Sequence, residues 1–359
     1  MKRVYICHTF YHAYVAIMKE LNLGKEHYKE ATLILSTMSN EFGTMKERAE
    51  NSGVFKEVLF FEEKEDVTSP EVMAYHKDKG NIILNLLQRI KYTKLLGKLQ
   101  EPYVPADLAS FDEVYVFCDS DPIGYYLNYK KIHYHALEDG LNSGKNDNQA
   151  MLSNMGAWKL KKFMARLGLI FIESGYSKYC IDYEVNDISA NYKPPSNIKE
   201  CPFFDMWDKL TKEDHDTLAY IFMEDIEGLK RDLEVHEDGR PKAMILTEPL
   251  CDFETRVRLF TDIKKANEKE YNIILKPHPR DLADYSEAFG DCIILKGRFP
   301  MEVINDIEGL KVDKLISVVT QIDDVRFAES IEYLGMDFLD KYEDPAVHRK
   351  MEILMKKNG

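Results

Sequence analysis

The sequence predicts an α/β protein of two domains, each built on a doubly wound parallel sheet, with a cleft between them. Three observations lead to this fold. The chain has 359 residues, which is enough for two domains of ordinary size. Short β-branched or aromatic runs alternate with amphipathic helical patterns, as in parallel sheets whose strands are joined by helices. A stretch with three prolines and little periodicity, residues 191–204, separates two such sets and reads as a connector.

The first domain, residues 1–195, contains five apolar runs that predict parallel strands, with helical patterns between most of them. The longest helical pattern covers about residues 80–100, where leucine and isoleucine recur mostly at helical spacing. The basic residues between them are interpreted as a solvated face. The five predicted strands are residues 3–7, 31–36, 56–61, 113–118 and 132–136.

The second domain, residues 205–325, repeats the alternation on a smaller scale. Helices are expected at about residues 254–268 and 300–308. The tail, residues 326–359, looks helical, and we expect it to pack back on the first domain. The strands predicted for this domain are residues 243–246, 272–275, 292–295 and 314–319.

Composition and charge exclude several classes of protein. The net charge of −14 argues against a nucleic-acid surface, which would need a basic stripe. Six cysteines without zinc-binding spacing predict buried thiols in a reducing compartment. No apolar run approaches the roughly 20 residues of a membrane span, and no signal peptide is recognised, so the sequence predicts a cytoplasmic protein. Residues 158–172 are basic and partly apolar, and they predict either a membrane-surface segment or a core helix followed by a buried strand.

Polar residues follow the predicted strands at their carboxyl ends, the edge at which open α/β sheets bind ligands. His8, Thr9 and Tyr11 follow the first strand, and their side chains suit sugar binding, although a helix cap at Thr9 also explains part of this segment. Glu138 and Asp139 follow the fifth strand. Paired carboxylates raise one another's pKa, as a general base requires, and an ordinary turn is the alternative.

The most informative segment is an apolar strand that runs into Lys276-Pro277-His278-Pro279-Arg280. The two prolines end the strand and hold His278 at its carboxyl end. A titratable ring between Lys276 and Arg280 predicts an anion site, for a phosphate above all, and a histidine in a proline turn is the alternative. Asp252, after the preceding strand, is a second candidate for a general base.

A nucleotide site is predicted further along the second domain. Met301 and Glu302 stand at the start of a predicted helix, and Ser317, Val319 and Thr320 follow the last predicted strand. Backbone N–H groups at a helix start, with nearby hydroxyls, suit a phosphate. A carboxylate such as that of Glu302 can accept hydrogen bonds from both hydroxyls of a ribose.

The order of these motifs resembles the bacterial sialyltransferases that build lipooligosaccharide and capsule, and glycosyltransferase family 52 in particular. The resemblance covers most of the chain except about residues 40 to 110. It implies a GT-B-like fold of two Rossmann-like domains facing a cleft, in which the first domain binds the acceptor and the second binds a CMP-sugar. The motifs that carry it are Glu138-Asp139-Gly140, Lys276 to Pro279, the acidic residue after Phe299-Pro300-Met301, a Ser/Thr pair, and the opening Cys7-His8-Thr9-Phe10-Tyr11-His12.

The resemblance also implies roles for single residues. His278 would contact the phosphate of CMP-sialic acid and help the nucleotide leave, and Lys276 and Glu302 would be nucleotide contacts. Thr320, with Ser317, would bind phosphate oxygens. This sequence departs from the family there, because its two hydroxyl residues are not adjacent.

The implied reaction is an inverting, metal-independent transfer of sialic acid from CMP-sialic acid to a galactose-type hydroxyl. The base is open between Asp252, which we favour slightly, and an acidic residue of the Glu138-Asp139 pair. Family members are often dimers, so a homodimer is expected, along with peripheral contact at the inner face of the membrane.

Two other functions remain open at this point. Asp119-Ser120-Asp121 forms a DxD triplet after a strand, and such a pair can hold Mg²⁺ or Mn²⁺ against the diphosphate of a UDP-sugar. A non-catalytic subunit that binds nucleotide sugars would keep Lys276 and Glu302 and lose the base. The acceptor glycan and the linkage are not identified by the sequence.

Overall fold

A computed structural model shows two compact units, Met1–Asp214 and His215–Gly359, each built on a parallel sheet. The division falls inside the helix Lys212–Phe222, within the range predicted for the second domain. None of the described helices combines the length and the apolar character that a membrane span requires. The structure describes residues 1–38, 40–64, 70–75, 77–144, 148–235, 239–320, 322 and 325–349.

The first sheet has seven strands among the described residues, and every neighbouring pair is parallel. Its strands are β1 (Arg3–Cys7), β2 (Ala31–Ser36), β3 (Glu57–Phe61), β4 (Glu113–Phe117), β5 (Tyr134–Leu137), β6 (Cys180–Val185) and β7 (Ile198–Glu200). The order is β3-β2-β1-β4-β5-β6-β7. Strands β1 and β2 are buried at every position, which is typical of parallel strands covered on both faces.

Helices of the first unit begin where the local sequence supplies a cap. The Thr9 hydroxyl accepts a hydrogen bond from the backbone N–H of His12, and Asn81 caps the longest helix in the same way. Gly124 lets one helix approach the end of β4, because a Cβ there would clash with the backbone oxygen of Asp119. The helices are α1 (Phe10–Leu21), α2 (Met45–Asn51), α3 (Pro70–Met73), α4 (Ile82–Gln100), α5 (Pro122–Lys130), α6 (Gln149–Ser153), α7 (Trp158–Arg166) and α8 (Phe203–Trp207).

The second sheet has five parallel strands in the described part of the chain, in the order β10-β9-β8-β11-β12. These are β8 (Lys242–Leu246), β9 (Asn272–Lys276), β10 (Ile293–Ile294), β11 (Val312–Ser317) and β12 (Ala328–Tyr333). The remaining helices are α9 (Lys212–Phe222), α10 (Ile226–Val235), α11 (Phe253–Asn267), α12 (Ser286–Phe289), α13 (Met336–Leu339) and α14 (Pro345–His348), with a 3₁₀ helix at Met301–Asp306.

The structure corrects the sequence prediction at one edge of each sheet. Residues 198–200, inside the predicted connector, pair with β6, and residues 328–333, predicted to be helical, pair with β11. Both strands are largely exposed, so neither carries the buried apolar run that marks a central strand. Strand β6 was not predicted, and the helix expected at 300–308 is a 3₁₀ helix.

The tail beyond β12 packs against the core of the second sheet through Leu334, Leu339 and Tyr342. Its packing against the first domain stays a prediction, and residues 350–359 of the predicted tail lie outside the described residues.

Candidate functional site

Most of the residues singled out in the sequence follow strands that lie at, or next to, the point where the strand order of each sheet reverses. In the first unit the reversal falls between β1 and β4, and in the second it falls between β8 and β11. Crevices at such reversals, at the carboxyl ends of the strands, are the usual ligand sites of open parallel sheets. Each unit therefore offers one candidate binding edge.

His278 lies two residues after β9, and its own loop orients its ring. The ring Nδ1 accepts a hydrogen bond from the backbone N–H of Arg280, at 3.1 Å. The proton of the neutral ring is therefore assigned to Nε2. Burial, with the charges of Arg280 and Lys276, lowers the pKa of His278 to about 4. At neutral pH the ring is an uncharged N–H donor.

A hydrogen-bond network that the sequence did not reveal anchors this loop. The hydroxyl of Thr247, just after β8, accepts from the backbone N–H of His278 at 3.1 Å and donates to Asp281 Oδ2 at 3.2 Å. Asp281 also accepts from Arg256 Nη1 at 2.7 Å and from the Tyr285 hydroxyl at 2.6 Å. In the sequence, the indication of this network was the position of Asp281, three residues after His278.

Lys276 is buried and makes internal contacts. Its Nζ donates to the carbonyl of Phe299 at 2.7 Å and to that of Pro277 at 2.9 Å, and it lies 4.1 Å from the centre of the Phe299 ring. Burial lowers the pKa of Lys276 to about 7. These contacts connect the His278 loop to the 3₁₀ helix where Met301 and Glu302 are buried. A direct nucleotide contact of Lys276 stays a prediction, as does one of the partly exposed Pro279.

The loop after β11 binds the carboxylate of Glu248, a residue for which the sequence analysis predicts no role. Glu248 Oε1 accepts from the backbone N–H of Val319 at 3.0 Å, from that of Thr320 at 2.8 Å, and from the Ser317 hydroxyl at 3.1 Å. Glu248 is only 2% exposed. The donors predicted to bind a phosphate thus surround an anion that belongs to the protein.

Replacing Glu248 with alanine should destabilise the second unit, because it leaves the partly buried N–H groups of Val319 and Thr320 without their acceptor. We expect the free energy of unfolding to fall by about 2 to 3 kcal/mol. Urea unfolding of Glu248→Ala measures the change, and Glu254→Ala, an exposed glutamate in the first turn of α11, is the control. Equal stability of the two variants would contradict a structural role of this carboxylate.

Asp252 caps the N-terminus of α11. Its Oδ1 accepts from the backbone N–H of Thr255 at 2.9 Å and its Oδ2 accepts from the Thr255 hydroxyl at 3.0 Å. These hydrogen bonds lower the pKa of Asp252, so the exposed carboxylate is ionised at neutral pH. A cavity of about 490 Å³ adjoins it, lined by Pro249, Phe253, Arg256 and Arg280 to Asp284.

In the first unit, His8 is buried and pairs with Glu63, whose Oε2 lies 2.8 Å from its Nε2. Burial favours the neutral ring, but the hydrogen bond and charge of Glu63 prevail and raise the pKa of His8. Thr9 serves as the cap of α1, and Tyr11 remains partly exposed on that helix. Of these three predicted sugar contacts, His8 is the one most enclosed by the protein.

Asp139 joins the loops that follow β1, β4 and β5. His12 Nδ1 accepts from the backbone N–H of His8 at 3.1 Å, so its Nε2 carries the proton and donates to the backbone carbonyl of Asp139 at 2.7 Å and to Asp139 Oδ1 at 3.1 Å. The Cys118 thiol donates to the same oxygen at 2.6 Å. The Asp139 side chain is nevertheless 63% exposed. It is therefore both oriented by the protein and open to solvent, and the sequence did not reveal the roles of His12 and Cys118.

Glu138 differs from the neighbouring Asp139 in its burial, its hydrogen-bond partner and its pKa. It is buried, its Oε1 accepts from the backbone N–H of Asn186 at 2.8 Å, and burial raises its pKa to about 7. From the sequence, we expected repulsion between the paired carboxylates to raise the pKa. The structure shows that removal from water is the main cause.

The DxD triplet does not form a pair of neighbouring, exposed carboxylates. Asp119 is buried and accepts from the Tyr134 hydroxyl and from the backbone N–H of Ser174, both at 2.8 Å. Burial raises its pKa to about 7. Asp121 is instead the N-cap residue of α5. Within the described residues, the clusters with three metal-ligand atoms close together are His12-Cys118-Asp139 and His135-Asp182-Glu184, and neither contains the triplet.

Comparison with known proteins agrees with this layout. The sequence model of the family described as glycosyltransferase family 52 matches residues 60–320 of this chain. Among solved structures, the chain is similar to an α/β-galactoside α-2,3-sialyltransferase from the luminous marine bacterium Photobacterium phosphoreum, with 13% identity, a TM-score of 0.52, and coverage of 92% of this chain and 89% of that one. It is also similar to a sialyltransferase from Photobacterium damsela, with 13% identity, a TM-score of 0.50, and coverage of 92% and 73%.

No curated protein matches the sequence. At these identities the structural likeness shows the fold alone, and it confirms the predicted GT-B-like architecture of two parallel-sheet α/β domains.

Proposed function

Because the chain belongs to glycosyltransferase family 52, and so is a glycosyltransferase with a nucleotide-sugar donor and a glycan acceptor, we propose that it is an inverting sialyltransferase. In this proposal it moves sialic acid from CMP-sialic acid to a galactose-type hydroxyl of a bacterial surface glycan, lipooligosaccharide or capsule, without a metal. The observation that carries the proposal is the fixed N–H donor of His278 at the carboxyl end of β9.

His278 is the proposed contact to the leaving phosphate. The neutral ring can donate the hydrogen of Nε2 to a phosphate oxygen, and a phosphate beside it would favour the protonated ring. Charge that develops on the departing CMP is thereby stabilised. Glu302 is the proposed ribose contact, with Met301 and Pro279 beside the nucleotide.

The loop after β11 has a more limited role in this proposal. Ser317, Val319 and Thr320 already bind Glu248, so a phosphate would have to compete with that carboxylate for the same donors. We therefore assign these residues to shaping the nucleotide pocket. The negative charge of the phosphate is then balanced by His278 and its neighbouring cations, Lys276 and Arg280.

On the acceptor side, a carboxylate removes the proton of the attacking hydroxyl while the sugar passes through an oxocarbenium-like state. Asp252 is the first choice for this base, and Asp139 with Glu138 is the alternative. Tyr11 and Thr9 are proposed acceptor contacts, with the buried His8 supporting them. We further propose that the protein works in the cytoplasm, at the inner face of the membrane, as a homodimer.

Release of CMP from CMP-sialic acid tests the function. The assay is run in EDTA, with and without a lactose-type acceptor. Release that the acceptor stimulates and that survives chelation supports a metal-independent sialyltransferase. Activity that appears only with Mn²⁺ and a UDP-sugar would replace this function with the alternative that the DxD triplet raised, and binding of CMP without turnover on any acceptor would indicate a non-catalytic subunit.

A further inference from the structure

Two segments of the first unit expose large apolar side chains to solvent. One is the first half of α4, where Ile83 is 65% exposed, and the other is α7 with its flanks, where Phe163 is 58% exposed. Leu160, Phe163 and Leu167 are spaced as one stripe along a helix. The exposed apolar residues of the two segments are Ile82, Ile83, Leu84, Leu87, Met155, Leu160, Phe163, Leu167 and Leu169.

The two segments belong to one surface. Leu86 and Ile90 of α4 pack against the small core that contains Met164 and Ala165 of α7. A cavity of about 630 Å³ lies between the segments, lined from one side by residues 80–92 and from the other by residues 153–161. Contiguous exposed apolar surface of this kind marks an interaction site in a soluble domain.

This surface is basic although the chain as a whole is acidic. Residues 82–100 and 155–169 contain no acidic residue, whereas 62 of the 359 residues of the chain are Asp or Glu. Among the described residues that line the cavity, the acidic one is Asp78, and it is hydrogen-bonded to Gly80 and Asn85. The basic residues of the two segments are Arg89, Lys91, Lys94, Lys98, Lys159, Lys161, Lys162 and Arg166.

Arg89 brings a positive charge to one wall of the cavity. Its Nε is buried without a hydrogen-bond partner among the described residues, and its guanidinium lies 5.2 Å from the centre of the Tyr92 ring. Lys161, on the opposite wall, donates to the carbonyls of Asn154 and Met155. An anionic group in the cavity would be attracted by the charges of Arg89 and Lys161, which line its two walls.

We propose that this surface docks the protein on an anionic lipid bilayer. The apolar stripe enters the boundary between headgroups and acyl chains, and the basic residues bind headgroup phosphates, with Arg89 and the cavity taking one headgroup. A symmetric contact with a second copy is disfavoured, because it would set two basic faces against each other. Exposure and charge alone support this docking, which specifies the membrane contact of the proposed function and is independent of the transfer reaction.

Vesicle co-sedimentation of the full chain tests the surface. The probes are vesicles of phosphatidylcholine alone and of phosphatidylcholine mixed with phosphatidylglycerol. One variant removes the apolar stripe and a second removes exposed charge. These variants are Leu160→Ser with Phe163→Ser and Leu167→Ser, and Lys159→Gln with Lys162→Gln and Arg166→Gln.

We expect the native chain to bind the anionic vesicles and not the neutral ones. The charge variant should lose on the order of a hundredfold in partitioning, and the apolar variant about tenfold or more. Matched controls replace three exposed apolar residues, or three exposed basic residues, elsewhere in the chain, and they should bind as the native chain does. They are Leu23→Ser with Ile181→Ser and Ile331→Ser, and Lys265→Gln with Lys269→Gln and Lys311→Gln.

Three results would overturn the proposal. They are absence of binding to anionic vesicles, equal loss in the variants and their controls, and a stripe variant that changes the oligomeric state while vesicle binding is kept. The last result would identify the surface as an interface between copies. Release of CMP with a soluble acceptor is measured in parallel, so failure of the membrane proposal and failure of the proposed reaction are seen separately.

Discussion

Replacing His278 with alanine is expected to lower acceptor-dependent CMP release by about 10²- to 10⁴-fold. The expectation follows from the fixed ring: Nδ1 is held by the backbone N–H of Arg280, which leaves Nε2–H as the donor for a leaving phosphate. Alanine removes that donor and also the acceptor of the Arg280 N–H, but it keeps the backbone hydrogen bond from His278 to Thr247, which should hold the loop in place. Turnover and the KM for CMP-sialic acid are measured with a saturating acceptor.

Two further variants make this result interpretable. His278→Gln keeps a side-chain N–H and should recover part of the lost rate, whereas His133→Ala, at an exposed histidine of the first unit, should leave the rate unchanged. Native-like turnover in His278→Ala, with intact thermal unfolding, would remove His278 from the reaction.

The same residue predicts how CMP binding depends on pH. In the free protein the pKa of His278 is about 4, and the negative charge of a bound phosphate raises it. The complex then holds more protons than the free protein, so CMP affinity should rise as the pH falls from neutrality toward the pKa of the complex. Titration calorimetry at several pH values measures this slope, which should be shallower in His278→Gln.

The sequence predicted most of the central strands because parallel strands buried on both faces are continuous apolar runs. Strand β1, Arg3–Cys7, and strand β2, Ala31–Ser36, were predicted with their observed bounds. The edge strands β7 and β12 were missed, because their side chains are mostly exposed and only pairing with a neighbour defines them.

The prediction of the candidate site was limited in the same way, to features that a short stretch of sequence displays. His278 and Lys276 were found because a strand ends in prolines, which is a local signal. The partners that fix the site come from distant parts of the chain: Glu248 binds a loop about 70 residues later, and His12 contacts Asp139, 127 residues away. Such contacts depend on the strand order of the sheets, which a single sequence does not display.

Replacing Asp252 with asparagine should lower turnover about 10²-fold or more if this carboxylate is the general base. Asparagine caps a helix as well as aspartate does and cannot take a proton, so the variant separates catalysis from the structural role of Asp252 toward Thr255. Asp344, the cap of α14, provides the matched control, because Asp344→Asn makes the same change without an expected effect on the reaction.

Asp139→Asn, measured in the same assay, decides between the two candidate bases. Asp252 is favoured because it lies in the loop after β8, in which Thr247 holds the backbone of His278, so base and leaving-group residue lie on neighbouring loops of one unit. Asp139 is oriented instead by His12 and Cys118 in the first unit. A larger loss in Asp139→Asn than in Asp252→Asn would assign the base to Asp139 and leave Asp252 as a helix cap. The reverse order would leave the contacts of Asp139 to position the loop after β5 against α1, the helix that carries the proposed acceptor contact Tyr11.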